Sequence, residues 1–452
     1  MKTIAASALL LCLIAVSAAA QDYTPRFEKF VLPNGLHVVL HRDTTLPLVS
    51  INMAYHAGSA IDPPGRSGLA NIAGEMLLLG TKKVPREELI RLRTEEQVSI
   101  SAFTSIDWIG IASVFPMTRL EAAIMIEADR MQHAASNFSE DHFETIVRNL
   151  RQAHERREQQ ALGTLTEQIF DELYARGHPY RHVTIGEISD MDSLTLRDAR
   201  RFSERYHVPA NAFITVGGNF DPAEARTLVE KYFGQLRSGE PVGWANIQDA
   251  FSPVGQGAFI REDRISFNQL HLVFPTVRAG HADEPTLKLL ARLLFGSETS
   301  LLYTNLLKND PLIQSVEVSQ TSNELTGTFW ITVTCKAEAR LKPVYEQVMR
   351  VLGDIAAQGA TETELTAARN LAAMEFYTPL EAFYGFGGRC DVLNLGNLYA
   401  ESPLLAFTLL SNQQRVTSAA LRKAVSTYLA SDNQLVVSAV PIGKPENGVD
   451  LK

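Results

Sequence analysis

Apolar residues along this chain recur with two periods, and the switches between them predict most of its elements. Leu48 to His56 alternates with a period of two, as a strand does, and Trp108 to Phe115 repeats that pattern. Gly68 to Leu79 spaces its apolar residues three and four apart, which predicts a helix. Leu120 to His133 and Ser139 to Glu158 carry the same helical period. The second opens with Ser139 and acidic residues, as a capped first turn would. Later in the chain, Phe267 to Phe274 and Thr328 to Cys335 read as strands. Thr286 to Phe295, Leu341 to Ile355 and Thr361 to Tyr377 read as helices. Strands mixed with several packed helices predict an α+β sandwich, a sheet with helices on one face.

The pattern occurs twice. Tyr206 and Asn211, ahead of an apolar strand, return as Tyr428 and Asn433 about 220 residues later, far beyond the period of a solenoid repeat. Arg148-Asn149-Leu150 returns as Arg369-Asn370-Leu371, and Gly80, closing an apolar helix, returns as Gly296. The reading is two homologous α+β domains in tandem, residues 21–237 and 258–452. A linker at 238–257 joins them, marked by Gly239, Pro241, Gly243, Pro253, Gly255 and Gly257.

Residues 1–20 are expected to be a removable export signal. Lys2 is followed by the apolar run Ile4 to Val16 and the small residues Ala18-Ala19-Ala20. That run is too short to span a bilayer, and Cys12 lacks the small preceding residue of a lipidation site. The destination is a periplasm or the secreted space, and no membrane insertion is expected after signal removal. A net charge of −9 argues against nucleic acid and against an anionic membrane surface. After processing two cysteines remain, Cys335 and Cys390, either one disulfide or two buried thiols.

Candidate chemistry concentrates in Gly68-Leu69-Ala70-Asn71-Ile72-Ala73-Gly74-Glu75-Met76-Leu77-Leu78-Leu79-Gly80-Thr81. This frame resembles the zinc helix of the pitrilysin/insulinase metallopeptidases, where Gly-Leu-Ala precedes an inverted His-x-x-Glu-His motif. Two imidazoles on one helical face then hold the metal, and the glutamate activates its water. Here Asn71 stands at the first histidine, Gly74 at the glutamate and Glu75 at the second histidine. Further strings extend the resemblance over nearly all of the mature chain: Leu32-Pro33-Asn34-Gly35-Leu36, Ala102-Phe103-Thr104-Ser105, Ala128-Asp129-Arg130-Met131, Gly177-His178-Pro179-Tyr180 and Gly217-Gly218-Asn219-Phe220.

The resemblance implies further positions. The family's third ligand, a glutamate on a later helix, falls on Ala153; Glu155, two residues on, points elsewhere around the helix. An Arg and Tyr that hold substrate backbone fall on Leu307 and Gln314. All metal ligands and the base are read as lost, so no metal and no cofactor are expected in this chain. Zinc is expected only in a partner. The strand Ser101-Ala102-Phe103-Thr104 remains a candidate for binding an extended peptide by strand addition, with Gln314 as a backbone contact. An ordinary sheet edge is the competing reading, with Phe103 placed in the core. His154 to Glu158 reads as a solvated, charge-alternating helical face, His178 and His182 as loop histidines, and Gly385-Phe386-Gly387-Gly388 as a flexible turn.

The resemblance therefore implies an exported, catalytically inactive subunit. It would form half of a peptide-enclosing chamber with an active zinc-peptidase paralogue as heterodimer partner. The alternatives are a stand-alone peptide-binding or complex-assembly protein, and a divergent metallopeptidase using other residues.

Overall fold

The strand pattern resolves into two sheets in a computed structural model that describes residues 23–81, 83–240 and 255–451. The signal expected at 1–20 and most of the linker expected at 238–257 lie outside the described residues. The first sheet contains β1 (Glu28–Val31), β2 (His37–Arg42), β3 (Leu48–Tyr55), β4 (Ser99–Thr104), β5 (Ile109–Pro116) and β6 (Ala212–Gly218), in the order β1-β2-β6-β3-β5-β4. The second contains β7 (Gln256–Asp263), β8 (Phe267–Thr276), β9 (Ile313–Ser322), β10 (Gly327–Lys336) and β11 (Gln434–Pro441), in the order β7-β11-β8-β10-β9. Without β1 the two orders superimpose, strand for strand. The single parallel pair is β2 with β6 in one sheet and β7 with β11 in the other. The duplication read from Tyr206, Asn211, Tyr428 and Asn433 has a local counterpart. Asn211 Nδ2 donates to the carbonyl of Tyr206 at 2.9 Å, and Asn433 Nδ2 donates to that of Tyr428 at 3.1 Å.

Helices of the first half are α1 (Leu69–Met76), α2 (Arg86–Glu95), α3 (Leu120–Asn137), α4 (Glu140–Gln159), α5 (Leu165–Leu173), α6 (Ile188–Met191), α7 (Leu196–Tyr206) and α8 (Pro222–Phe233). The second half adds α9 (Glu284–Leu294), α10 (Leu341–Gln358), α11 (Glu362–Tyr377), α12 (Arg389–Ala400), α13 (Leu405–Gln413) and α14 (Ser418–Tyr428). Local chemistry sets their starts. The Ser139 hydroxyl accepts from the His142 amide at 3.3 Å, and Thr361 with Glu364 closes a reciprocal capping box.

Helices cover both faces of each sheet, not one, because the halves exchange an element. Leu165, Ile169 and Leu173 of α5 pack on Val273, Leu435 and Val437 of the second sheet. In return α12 lies across β3 and β6 of the first sheet, with Leu398 against Ala54, Trp108 and Phe213. Each sheet is thus covered on both faces, which is why every residue of β6 is buried. Cys335 and Cys390 are both buried and free, so the disulfide alternative is set aside; burial pushes the Cys335 thiol up to about 12. Among the described residues no helix is long and apolar enough to cross a membrane.

Candidate functional site

The degenerate motif lies on a helix that is anchored at both ends. Both oxygens of Asp62 cap its start, accepting from the Gly68 and Ala70 amides at 2.8 Å each. A 3-10 turn at Leu77–Leu79 continues the helix to Gly80. There the buried guanidinium of Arg130 donates to the Leu77 carbonyl at 2.5 Å and pairs with Glu127 at 3.0 Å. Thr81 donates to Asp129 of the same string. Ala128-Asp129-Arg130-Met131 therefore serves as a clamp on the end of α1, one reason the frame persists without its ligands.

The side chains along α1 do not form a metal site. Asn71 and Ala153 are half-buried, Glu75 is exposed, and α1 packs against α4. This donor set is one amide, one methyl group and one carboxylate, where zinc takes imidazole, thiolate or several carboxylates. Among the described residues no group of three His, Cys, Asp or Glu side chains could hold a metal ion. Gly74 is pressed onto the sheet. A Cβ there would lie 2.7 Å from Thr104 Oγ1 and 3.3 Å from Ile109 Cγ2. Zinc does not fit the residues present.

His154 departs from expectation. It is on the buried face of α4, 3.7 Å from Glu158, whereas Glu155, Arg156 and Glu158 form the exposed face. Its position in the string hides this, since the four residues after it are all charged. His178 and His182 lie outside any helix, and His178 stacks on Tyr174 with centroids 4.6 Å apart.

The strand Ser101-Ala102-Phe103-Thr104 is an edge. β4 closes its sheet, and its outer side pairs with no strand among the described residues. Ala102 and Thr104 turn toward the helical layer, while Ser101 and Phe103 are exposed. Phe103 is 53% exposed, which corrects its assignment to the core: residue 103 falls on the opposite face of the pleat from buried Ile100. The ring joins Trp108 and Phe386 in an aromatic cluster with centroids 5.5 and 6.0 Å from its own. The cluster covers Gly110, the cross-strand partner of Phe103, where a Cβ would lie 2.4 Å from the Trp108 ring.

Phe386 comes from the other half, and sequence reasoning missed it. Its loop is pinned, not flexible. The Gly387 amide donates to Asp391 at 2.9 Å and Asn52 Nδ2 donates to the Gly385 carbonyl at 3.2 Å. The signal lay in an aromatic residue between glycines, but nothing local named Trp108 as its partner.

A second joint between the halves lies just before β5. The buried carboxylate of Asp107 accepts from Tyr180 Oη at 2.6 Å, Tyr399 Oη at 3.0 Å and the Glu324 amide at 2.9 Å. Tyr180 Oη in turn accepts from the Leu325 amide at 2.9 Å. Leu307 packs against the second core and offers no polar group, while Gln314 is exposed on β9, the edge of the second sheet.

Comparison with known proteins places this geometry. Residues 37–182 match the family model described as insulinase (peptidase family M16), and residues 193–372 match that of the peptidase M16 inactive domain. The chain belongs to peptidase family M16. This M16 chain is similar to zinc protease PqqE of Helicobacter pylori, 22% identical over 382 residues, covering 83% of this chain and 85% of that protein. It is also similar to the uncharacterized zinc protease YmxG of Bacillus subtilis, 22% identical over 339 residues, covering 75% and 80%. Two solved structures share the fold at a TM-score of 0.81. One, a protease from Helicobacter pylori, is 20% identical and covers 93% of this chain and 100% of its own. The other, a peptidase M16 inactive domain from Pseudomonas fluorescens, is 18% identical and covers 92% and 98%.

Proposed function

We propose that this chain is the non-catalytic half of an exported M16 peptidase, holding extended peptides on β4 while a zinc-bearing paralogue supplies the chemistry. The supporting observation is the contrast between two parts of one site. α1 keeps its anchors but carries Asn71, Gly74 and Glu75, with Ala153 on α4 behind it, whereas β4 keeps a free edge flanked by Phe103. Strand addition uses main-chain donors and acceptors, so it survives loss of the motif. The base alone is worth a factor of roughly 10²–10⁴ in rate, so its loss suits a division of labour between two chains.

Metal content and peptide hydrolysis test the reading. The mature chain is purified alone and with the zinc-motif paralogue of its own genome. The expected result is no stoichiometric zinc and no hydrolysis alone, and one zinc with activity in a one-to-one complex. Zinc bound by the isolated chain, with hydrolysis lost to a chelator, would point to a divergent peptidase instead.

Leu307 and Gln314 favour a second reading. A subunit that helps position a scissile bond would use the Arg and Tyr of the family at those places, and a core-packed Leu307 cannot hydrogen-bond. A stand-alone peptide-binding or assembly protein needs neither. High-affinity peptide binding by the chain alone, with no complex formed, would select that reading.

A further inference from the structure

A pocket of about 310 Å³ lies between α1, α2 and α4, bordered by Glu75, Arg86, Arg93, His142, Thr145 and Asn149. Its charge is unusual for a chain of net charge −9. The three arginines of α2 divide into two kinds. Arg91, on the opposite side, is paired with Glu88, Glu95 and Glu96 at 2.7, 3.0 and 3.4 Å. Arg86 and Arg93, seven residues apart and so on one helical face, border the pocket and have no ion pair among the described residues. His142 borders the same pocket, and its Nδ1 is buried without a hydrogen-bond partner. Glu75 is the pocket's one acid, and among the described residues it forms no ion pair with either arginine. Two guanidinium forks without ion pairs, bordering one concavity, suit an anion with two oxygens.

The pocket adjoins β4. The Leu77–Leu79 turn touches this strand, and Leu78 and Leu79 line the pocket. We propose that the pocket takes a carboxylate of the peptide held on β4, so that this subunit selects peptides with an acidic group at one end of the bound segment. The group is either an acidic side chain or the peptide's own C-terminus, since the chemistry is the same. The proposal rests on the strand-capture reading above.

The mature chain is titrated with an extended peptide in which a single glutamate is moved along the sequence. Each version has a glutamine match, and each is made as the free acid and as the C-terminal amide; glutarate is titrated separately. At least one acidic version is expected to bind tenfold more tightly than its neutral match. R86Q/R93Q should abolish that margin while leaving neutral-peptide affinity unchanged, and E75Q should widen it by removing the opposing charge. A Glu-over-Gln margin assigns the group to a side chain, and an acid-over-amide margin assigns it to the C-terminus. Equal affinities in the wild type, or a margin that survives R86Q/R93Q, overturn the proposal. If no neutral peptide binds but glutarate binds in an arginine-dependent way, strand capture fails and the pocket stands. If neither peptides nor glutarate bind, the pocket falls as well.

Discussion

Gly74 and Thr104 occupy one space: a Cβ on the glycine would lie 2.7 Å from the threonine Oγ1. Glycine inside a helix costs about 1 kcal/mol relative to alanine, so Gly74→Ala would stabilise α1 if the site were open. Overpacking costs about 1–3 kcal/mol and outweighs that gain. Gly74→Ala is therefore expected to lower stability, yet to raise it by up to about 1 kcal/mol in a Thr104→Ala background. Denaturant unfolding of the four proteins in this cycle measures the coupling, expected to be at least about 1 kcal/mol. Additive effects would mean that Thr104 moves aside freely.

What the sequence made legible was local, and what it concealed was long-range. Ser139 and Thr361 sit at helix starts because a hydroxyl can satisfy an amide two or three residues on. The paired Tyr206–Asn211 and Tyr428–Asn433 spacings report one hydrogen bond made in each half. No such local rule links Phe103 to Phe386, Asp107 to Tyr399, or α5 to β11. Those contacts arise because each half covers the bare face of the other's sheet. An aromatic such as Phe103 reads as core from composition, and only pleat register puts it outside. His154 is hidden for the opposite reason, a buried position within a charged string.

The Asp107 joint should hold the halves together. Tyr180 donates to the carboxylate and accepts from Leu325, so Tyr180→Phe leaves a buried amide and a buried oxygen each short of a partner. A cost of about 1–3 kcal/mol is expected. The loss is localised: amide exchange should accelerate at residues 323–326 and along α12, while α3 and α8 keep their protection. Uniform acceleration would show that Asp107 supports a single cooperative unit instead.

Two buried histidines give a pH dependence with a defined sign. Burial depresses His207 to about 3 and His271 to about 4. The unfolded chain takes up a proton near pH 6.5 at each, and the folded chain does not. Each histidine therefore costs stability as pH falls from 7 to 5, about 2 kcal/mol per group by linkage. Asp391, raised to about 6 by burial, works in the opposite direction, so the wild-type curve alone does not isolate the effect. The difference between wild type and His271→Gln does. The variant's destabilisation should be about 2 kcal/mol smaller at pH 5 than at pH 7. A pH-independent difference would mean that His271 titrates normally.

Peptide capture on β4 predicts a period-two signature that no side-chain pocket would give. Along an edge strand, alternate residues turn their amide and carbonyl outward, so a paired peptide uses every second amide. N-methylating those amides of a bound peptide, one at a time, should weaken binding at least tenfold, while methylating the amides between them should cost little. Trp108 reports the event, since its ring lies in contact distance of Phe103 at the end of this strand. Phe103→Ala removes a ring that is already half in solvent, so the fold should tolerate it. It should weaken peptides with a large apolar residue beside that ring and leave those with glycine there unchanged. Phe386→Ala should act in the same direction, because its ring closes the cluster from the second half. Sensitivity to N-methylation at every position alike, or at none, would exclude strand pairing and leave the edge of β4 as an ordinary sheet margin.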